Sequence, residues 1–211
     1  TCSPTLIQQV EALACSNEPG NFYIPTGIAT DQHNNVYVVD SVQKVIQKFS
    51  STGEFLSTWG KEGEFGIPVA IKVDNHDNVY ITDVDQHNIK KFTTDGKFIK
   101  QWGTQGRDDG QLQYPTMLAT DEVGNIYVYE ADNYRIQKFT AEGEFVTKWG
   151  EPGTNPGQLG SQGAIAVSPN GDQVYFMDSV FNRLQIFNKT LYDVGKAIIV
   201  AGGKGENDSL W

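Results

Sequence analysis

The chain has 211 residues with 26 acidic against 16 basic side chains and a formal net charge of −10, which argues against nucleic acid as a partner, because phosphate binding needs a basic face that displaces counterions. Hydrophobic residues make up 38% of the chain, ordinary for a packed domain, and no run of eighteen apolar residues offers a membrane span. A start at Thr1 suits removal of a signal peptide, or a chain cut from a longer one.

In chain order, "TLIQQV" at Thr5 to Val10 aligns with "EFLSTW" before Gly60, so the first predicted strand is a last-of-four strand with no three before it. The first full unit follows, with strand a at Pro25 to Asp31, strand b at Asn35 to Asp40, strand c at Val45 to Phe49 and strand d at Glu54 to Trp59. Each run is rich in Val, Ile, Tyr, Phe and Thr and is bounded by Gly, Asn, Asp or Pro, the pattern of short strands joined by turns. The second unit repeats it as "PVAIKVD" at Pro68, "NVYITD" at Asn78 and "NIKKFTTDGKFIKQWG" at Asn88. The third reads "PTMLATD" at Pro115, "NIYVYE" at Asn125 and "RIQKFTAEGEFVTKWG" at Arg135, where Glu142-Gly143 marks a hairpin. A worn fourth copy has "QGAIAVS" at Gln162, "QVYFMD" at Gln173 and "KAIIVAGG" near the end. From Asp40 to Asp83 to Glu130 to Asp178 the steps are 43, 47 and 48 residues, a period that fits a four-stranded propeller blade.

The order P-x-G-I-A-x-D, N-x-Y-V-x-D, R-I-Q-K-F, G-E-F-V-x-x-W-G, G-Q-L resembles the NHL repeat over about Phe22 to Gly203. The resemblance implies an all-β protein, an NHL-type β-propeller of four antiparallel four-stranded blades (22–60, 65–103, 112–150 and 159–203) in a single domain, 1–211. With the extra N-terminal strand, the chain is expected to be an arc of a larger propeller or assembly, incomplete at both ends. It departs from the repeat at Val45 and Asn88, where Arg135 and Arg183 carry the basic residue of the b–c turn.

Candidate functional residues are few. The only cysteines, Cys2 and Cys15, lie outside any CxxC pair, and a disulfide between them would suit a secreted protein. The sequons at Asn188 and Asn207 point the same way. None of the nucleophile-elbow, zincin, P-loop or dinucleotide motifs occurs, so no catalytic residue, metal or cofactor is assigned and the chain is expected not to be an enzyme. His33 and His76 occupy matching a–b turns, and the acids closing strands a and b recur once per turn, the habit of Asp and Asn in holding turns rather than the oxygen cluster calcium needs. Trp59, Trp102 and Trp149 recur at one point of strand d and read as blade packing. Lys72 breaks a row of Ala29, Ala119 and Ala166 and is expected in the central channel.

In a propeller the b–c and d–a connections share one end, and loops on a rigid scaffold carry recognition. That end gathers Lys44, His87, Tyr134 and Phe181, and is expected to bind a protein partner or further copies of the chain. The expectation is thus an extracellular or cell-surface, non-enzymatic interaction or self-assembly scaffold. The alternatives are a ligand-sensing ectodomain and a propeller-type lyase or hydrolase with a metal in the channel.

Overall fold

A computed structural model describes residues 19–60, 63–189 and 196–202. Blade one holds β1 (Pro25–Thr30), β2 (Val36–Asp40), β3 (Val45–Phe49) and β4 (Phe55–Trp59). Blade two holds β5 (Pro68–Val73), β6 (Asn78–Asp83), β7 (Asn88–Thr93) and β8 (Phe98–Trp102). Blade three is β9 (Pro115–Thr120), β10 (Ile126–Glu130), β11 (Arg135–Phe139) and β12 (Phe145–Trp149), and blade four is β13 (Gly163–Val167), β14 (Gln173–Asp178), β15 (Arg183–Asn188) and β16 (Ile198–Gly202). Each forms its own antiparallel sheet in chain order, so the sixteen strands expected from the four full units are present, with boundaries shifted by a residue or so. The segment of Thr5 to Val10 lies outside the described residues.

The repeats set the register as well as the strands. Ile46 pairs with Trp59, Ile89 with Trp102 and Ile136 with Trp149, whereas in blade four Leu184 pairs with Ala201. Period-two alternation gives every blade two apolar faces, and three seams between successive blades cover the facing pairs. One cluster joins blades one and two through Tyr37, Val39, Ile71, Ile81 and Phe92; the next joins two and three through Tyr80, Ile89, Leu118, Val128 and Phe139; the last joins three and four through Tyr129, Ile136, Trp149, Phe176 and Phe187.

The tryptophans sit in these seams. Trp102 packs at 6.3 Å from Phe139 of the next blade, and the c–d turn of that blade presses on the indole so closely that a Cβ at Gly143 would lie 2.5 Å from it. The lysine of the "IQKF" phrase crosses the same seams: Lys48 and Lys91 lie 5.3 Å over the rings of Tyr37 and Tyr80 and donate to Thr94 and Ala141 carbonyls one blade further on.

Candidate recognition face

Each b strand ends in a fully buried acid: Asp40, Asp83, Glu130 and Asp178. A buried carboxylate survives only if hydrogen-bonded or paired, and here it accepts backbone N–H groups from the d–a loop entering the same blade. Asp40 accepts from Tyr23 and Ile24, Asp83 from Gly66 (2.8 Å) and Ile67 (3.0 Å), Glu130 from Gln113 (2.8 Å) and Asp178 from Gly160 (3.1 Å). The acids therefore clamp loops, and no calcium site is needed to explain them.

Three blades add a buried cation. Arg135 binds Glu130 at 2.6 Å and donates to the carbonyls of Arg107, Asp108 and Gln111, which fastens the whole preceding loop. Arg183 binds Asp178 at 3.3 Å and reaches the carbonyls of Thr154 and Gln158. In blade two the charge has moved along the strand: Asn88 stands where the arginine would be, and Lys90, two residues later, donates to Asp83 (2.8 Å) and Gln86 (2.7 Å). Burial pushes the Asp83 carboxyl up, but Lys90 and the N–H groups of Ile67, Gly66 and Gln86 outweigh it and hold it below the usual carboxylate value. Blade one has no cation on Asp40 among the described residues; the N–H groups of Val42 and Gln43 supplement those of Tyr23 and Ile24.

Beyond each clamp, the fourth residue after the acid is held at positive φ: Lys44 (59°), His87 (53°), Tyr134 (53°) and Asn182 (51°). In blades one to three its carbonyl packs against the glycine after strand d, where a Cβ would lie 2.8 Å from the Tyr134 oxygen at Gly150 and 2.5 Å from the Lys44 oxygen at Gly60. That contact explains the recurring "WG". In blade four the structural equivalent of Tyr134 is Asn182. Phe181 stands one place earlier, half-buried, with the Arg183 guanidinium 5.2 Å over its ring.

The structure places Lys44 in solvent and leaves His87 and Tyr134 half-buried, with His87 Nδ1 accepting the Tyr114 N–H at 3.2 Å. Beside them stand residues that the sequence reading passed over. The residue before the inner strand of blades one to three, Ile24, Ile67 and Tyr114, is 53%, 41% and 44% exposed, and Tyr23, Val42 and Val180 are exposed at the same end. The signal was available, since each of the three precedes the proline that opens strand a. A cavity of about 420 Å³ lies beside Tyr134, lined by Arg107, Asp132, Lys148, Trp149 and Glu151.

The four inner strands line a cavity of about 540 Å³ in which Lys72 is the charged residue among Ile28, Ala29, Val73, Ala119, Ile165 and Ala166. His33 and His76 are exposed at the opposite end of the strands. There Asp31, Asp74 and Asp121 each accept two backbone N–H bonds, an Asn amide and a buried tyrosine hydroxyl: Tyr37, Tyr80 and Tyr127 respectively. Burial, with Asp31 and Asp74 beside them, pushes the Tyr37 and Tyr80 hydroxyls above their ordinary value, so they remain donors. Among the described residues no group of three or more His, Cys, Asp or Glu could hold a metal ion. Asn188 ends β15, half-buried, and its side chain accepts from Gln173 at 3.3 Å. Cys2, Cys15 and Asn207 lie outside the described residues, and no helix among those described is long and apolar enough to cross a membrane.

No family model matches the chain, and no curated protein matches it in sequence. Solved structures do match in fold. A streptogramin B lyase superimposes with a TM-score of 0.65 at 16% identity over 86% of this chain and 55% of its own. A catalytically inactive virginiamycin B lyase from Staphylococcus aureus, with quinupristin, gives 0.63 at 16% over 85% and 55%. Hydrazine synthase from Kuenenia stuttgartiensis gives 0.63 at 12% over 88% and 50%. The chain spans about half the length of these proteins, and the likeness shows the β-propeller fold. It also corrects the expectation that the chain is not an enzyme: the propellers it resembles include lyases, so a lack of familiar reactive motifs does not set this fold apart from catalysis.

Proposed function

We propose that this chain is an NHL-type propeller that recognises a protein partner through the end formed by its b–c turns and d–a loops, in an extracellular or cell-surface setting. The observation that carries the reading is the exposure of Ile24, Ile67 and Tyr114 on backbone that buried acids hold in place. Exposed apolar and aromatic groups on pre-ordered loops bind with little ordering cost, and tyrosine and other aromatics are enriched where proteins meet. Lys44, His87 and Tyr134 rim this patch with polar and charged tips. The NHL assignment rests on the repeat residues, and the extracellular setting on Cys2, Cys15 and the two sequons.

The test is capture from the secreted fraction of the source organism with three immobilised forms of the protein: wild type, Ile67→Ser with Tyr114→Ser, and Val123→Ser at the opposite end. A partner held by wild type and by Val123→Ser, but lost from the double variant, supports the reading. Equal retention by all three removes it.

A second reading, chemistry on a small molecule in the channel, is favoured by the cavity around Lys72 and by fold kinship to lyases. Chromatography of virginiamycin B incubated with the protein and a divalent metal tests it; unchanged substrate counts against it.

A further inference from the structure

The two long d–a loops are built alike. "TQGRDDGQL" from Thr104 and "EPGTNPGQL" from Glu151 align residue for residue, and each closes with a leucine N–H on the carbonyl of its first residue, Leu112 on Thr104 and Leu159 on Glu151. Each is fastened by the arginine of the blade it enters, Arg135 on the Arg107 carbonyl and Arg183 on that of Thr154. The fold therefore asks nothing of the side chain at that position, since arginine serves in one loop and threonine in the other. Tyr134, at φ 53°, likewise holds a left-handed position that Asn182 holds in blade four, and asparagine enters that region more readily than a bulky ring. Asp132 stands where blade four has Val180, and Lys148, opposite Gln137, stands where blades one and two pair Thr58 and Gln101.

None of these side chains is needed to build a blade, yet Arg107, Asp132, Tyr134, Lys148 and Glu151 line one cavity of about 420 Å³ together with the buried Trp149. It is of the size that takes a small ligand. Its charges are unevenly engaged. Arg135 is paired with Glu130, Lys148 with Asp109 at 2.6 Å, and Glu151 accepts from the Gln158 amide at 3.0 Å. The side chains of Arg107 and Asp132 are exposed, and among the described residues neither makes an ion pair or a hydrogen bond, with each other or with any other group. An anion alone would meet Asp132 and Glu151, and a cation alone would meet Arg107. A ligand with both charges satisfies both free groups. Guanidinium suits a carboxylate, which it can hold by two parallel bonds, and an ammonium group gains further from an aromatic ring beside it.

We propose that this cavity binds a small zwitterion, one ammonium and one carboxylate on a compact body, as in a free amino acid or a short peptide. The carboxylate is held by Arg107, and the ammonium by Asp132 and Glu151 beside the Tyr134 ring. Ile24, Ile67 and Tyr114 do not line this cavity, so the proposal stands apart from recognition of a protein partner.

Saturation-transfer NMR of the 211-residue chain tests it with mixed free amino acids, mixed dipeptides, the same dipeptides acetylated and amidated at their ends, and maltose as a neutral body. Signal from the amino acids or from the free dipeptides is expected, and the stronger of the two sets the length of the body; the blocked dipeptides and maltose should give none. Titration calorimetry with the strongest binder then compares variants at exposed or half-buried sites. Arg107→Gln and Asp132→Asn each remove one charge-assisted contact and should weaken binding by about tenfold or more, with an unchanged circular dichroism spectrum. Tyr134→Asn, which places the blade-four residue in the left-handed position, should weaken it less. No signal from any zwitterion, equal signal from the blocked dipeptides or maltose, or unchanged affinity in either charge variant would overturn the proposal.

Discussion

The two ends of this propeller are built from the same repeats yet differ in what they vary. At the a–b end, blades one to three use one device without change: Asp31, Asp74 or Asp121 gathers its turn, an asparagine and a tyrosine hydroxyl. At the b–c end every blade except the last pair solves the problem differently, with backbone N–H groups on Asp40, Lys90 on Asp83, and arginines on Glu130 and Asp178. Three apolar residues are exposed in step at that second end. Within one chain, then, invariance marks what folds the blade, and variation marks the loops that are free to specialise.

The sharpest break of this comparison is at blade three. Glu130→Gln strands a buried Arg135, and breaking one half of a buried pair costs about 3–5 kcal/mol; urea unfolding should show it. Restoring neutrality with Arg135→Met should recover much of that loss. Next comes Asp121→Ala, which takes the acceptor from the Asn125 amide and from the turn N–H groups of Val123 and Asn125. A buried donor left unsatisfied costs about 1–3 kcal/mol, and partner capture by the folded protein should not change.

The acid limb of stability sharpens the comparison further. Asp83 is held below its unfolded value, so its contribution is fully present above the ordinary Asp pKa of about 3.9 and drains away as pH falls through the folded value. Thermal unfolding between neutral pH and pH 3 should fall less steeply in Asp83→Asn with Lys90→Met than in wild type. The smallest stability effect is expected at the recognition end itself. Ile67→Ser changes an exposed site, so stability should move by no more than about 0.5 kcal/mol while partner capture drops.

The strands were legible because period-two alternation, turn residues and a repeat of near-constant length agree with one another. The Asp turns and the Trp seams were legible for the same reason: a residue that recurs at one register position does one job. The loss of arginine at Asn88 hid its own compensation, because Lys90 is two places further along and side chains two apart in a strand share a face. That Asn182 and not its neighbour Phe181 takes the left-handed position of the blade-four turn is a matter of backbone conformation, seen only in its φ. Ile24, Ile67 and Tyr114 were passed over, since sequence does not say whether an apolar residue beside a proline is covered. Lys72 could be placed by the row it breaks, but its use cannot be read from that row.

The central claim is that recognition belongs to the b–c and d–a end and that the a–b end is structural. A photo-crosslinking amino acid at Tyr114 and, separately, at His76 tests it most directly in the secreted fraction of the source organism. The account predicts a discrete adduct from position 114 that excess unlabelled protein suppresses, and none from position 76. A competable adduct from position 76 with none from position 114 would contradict it.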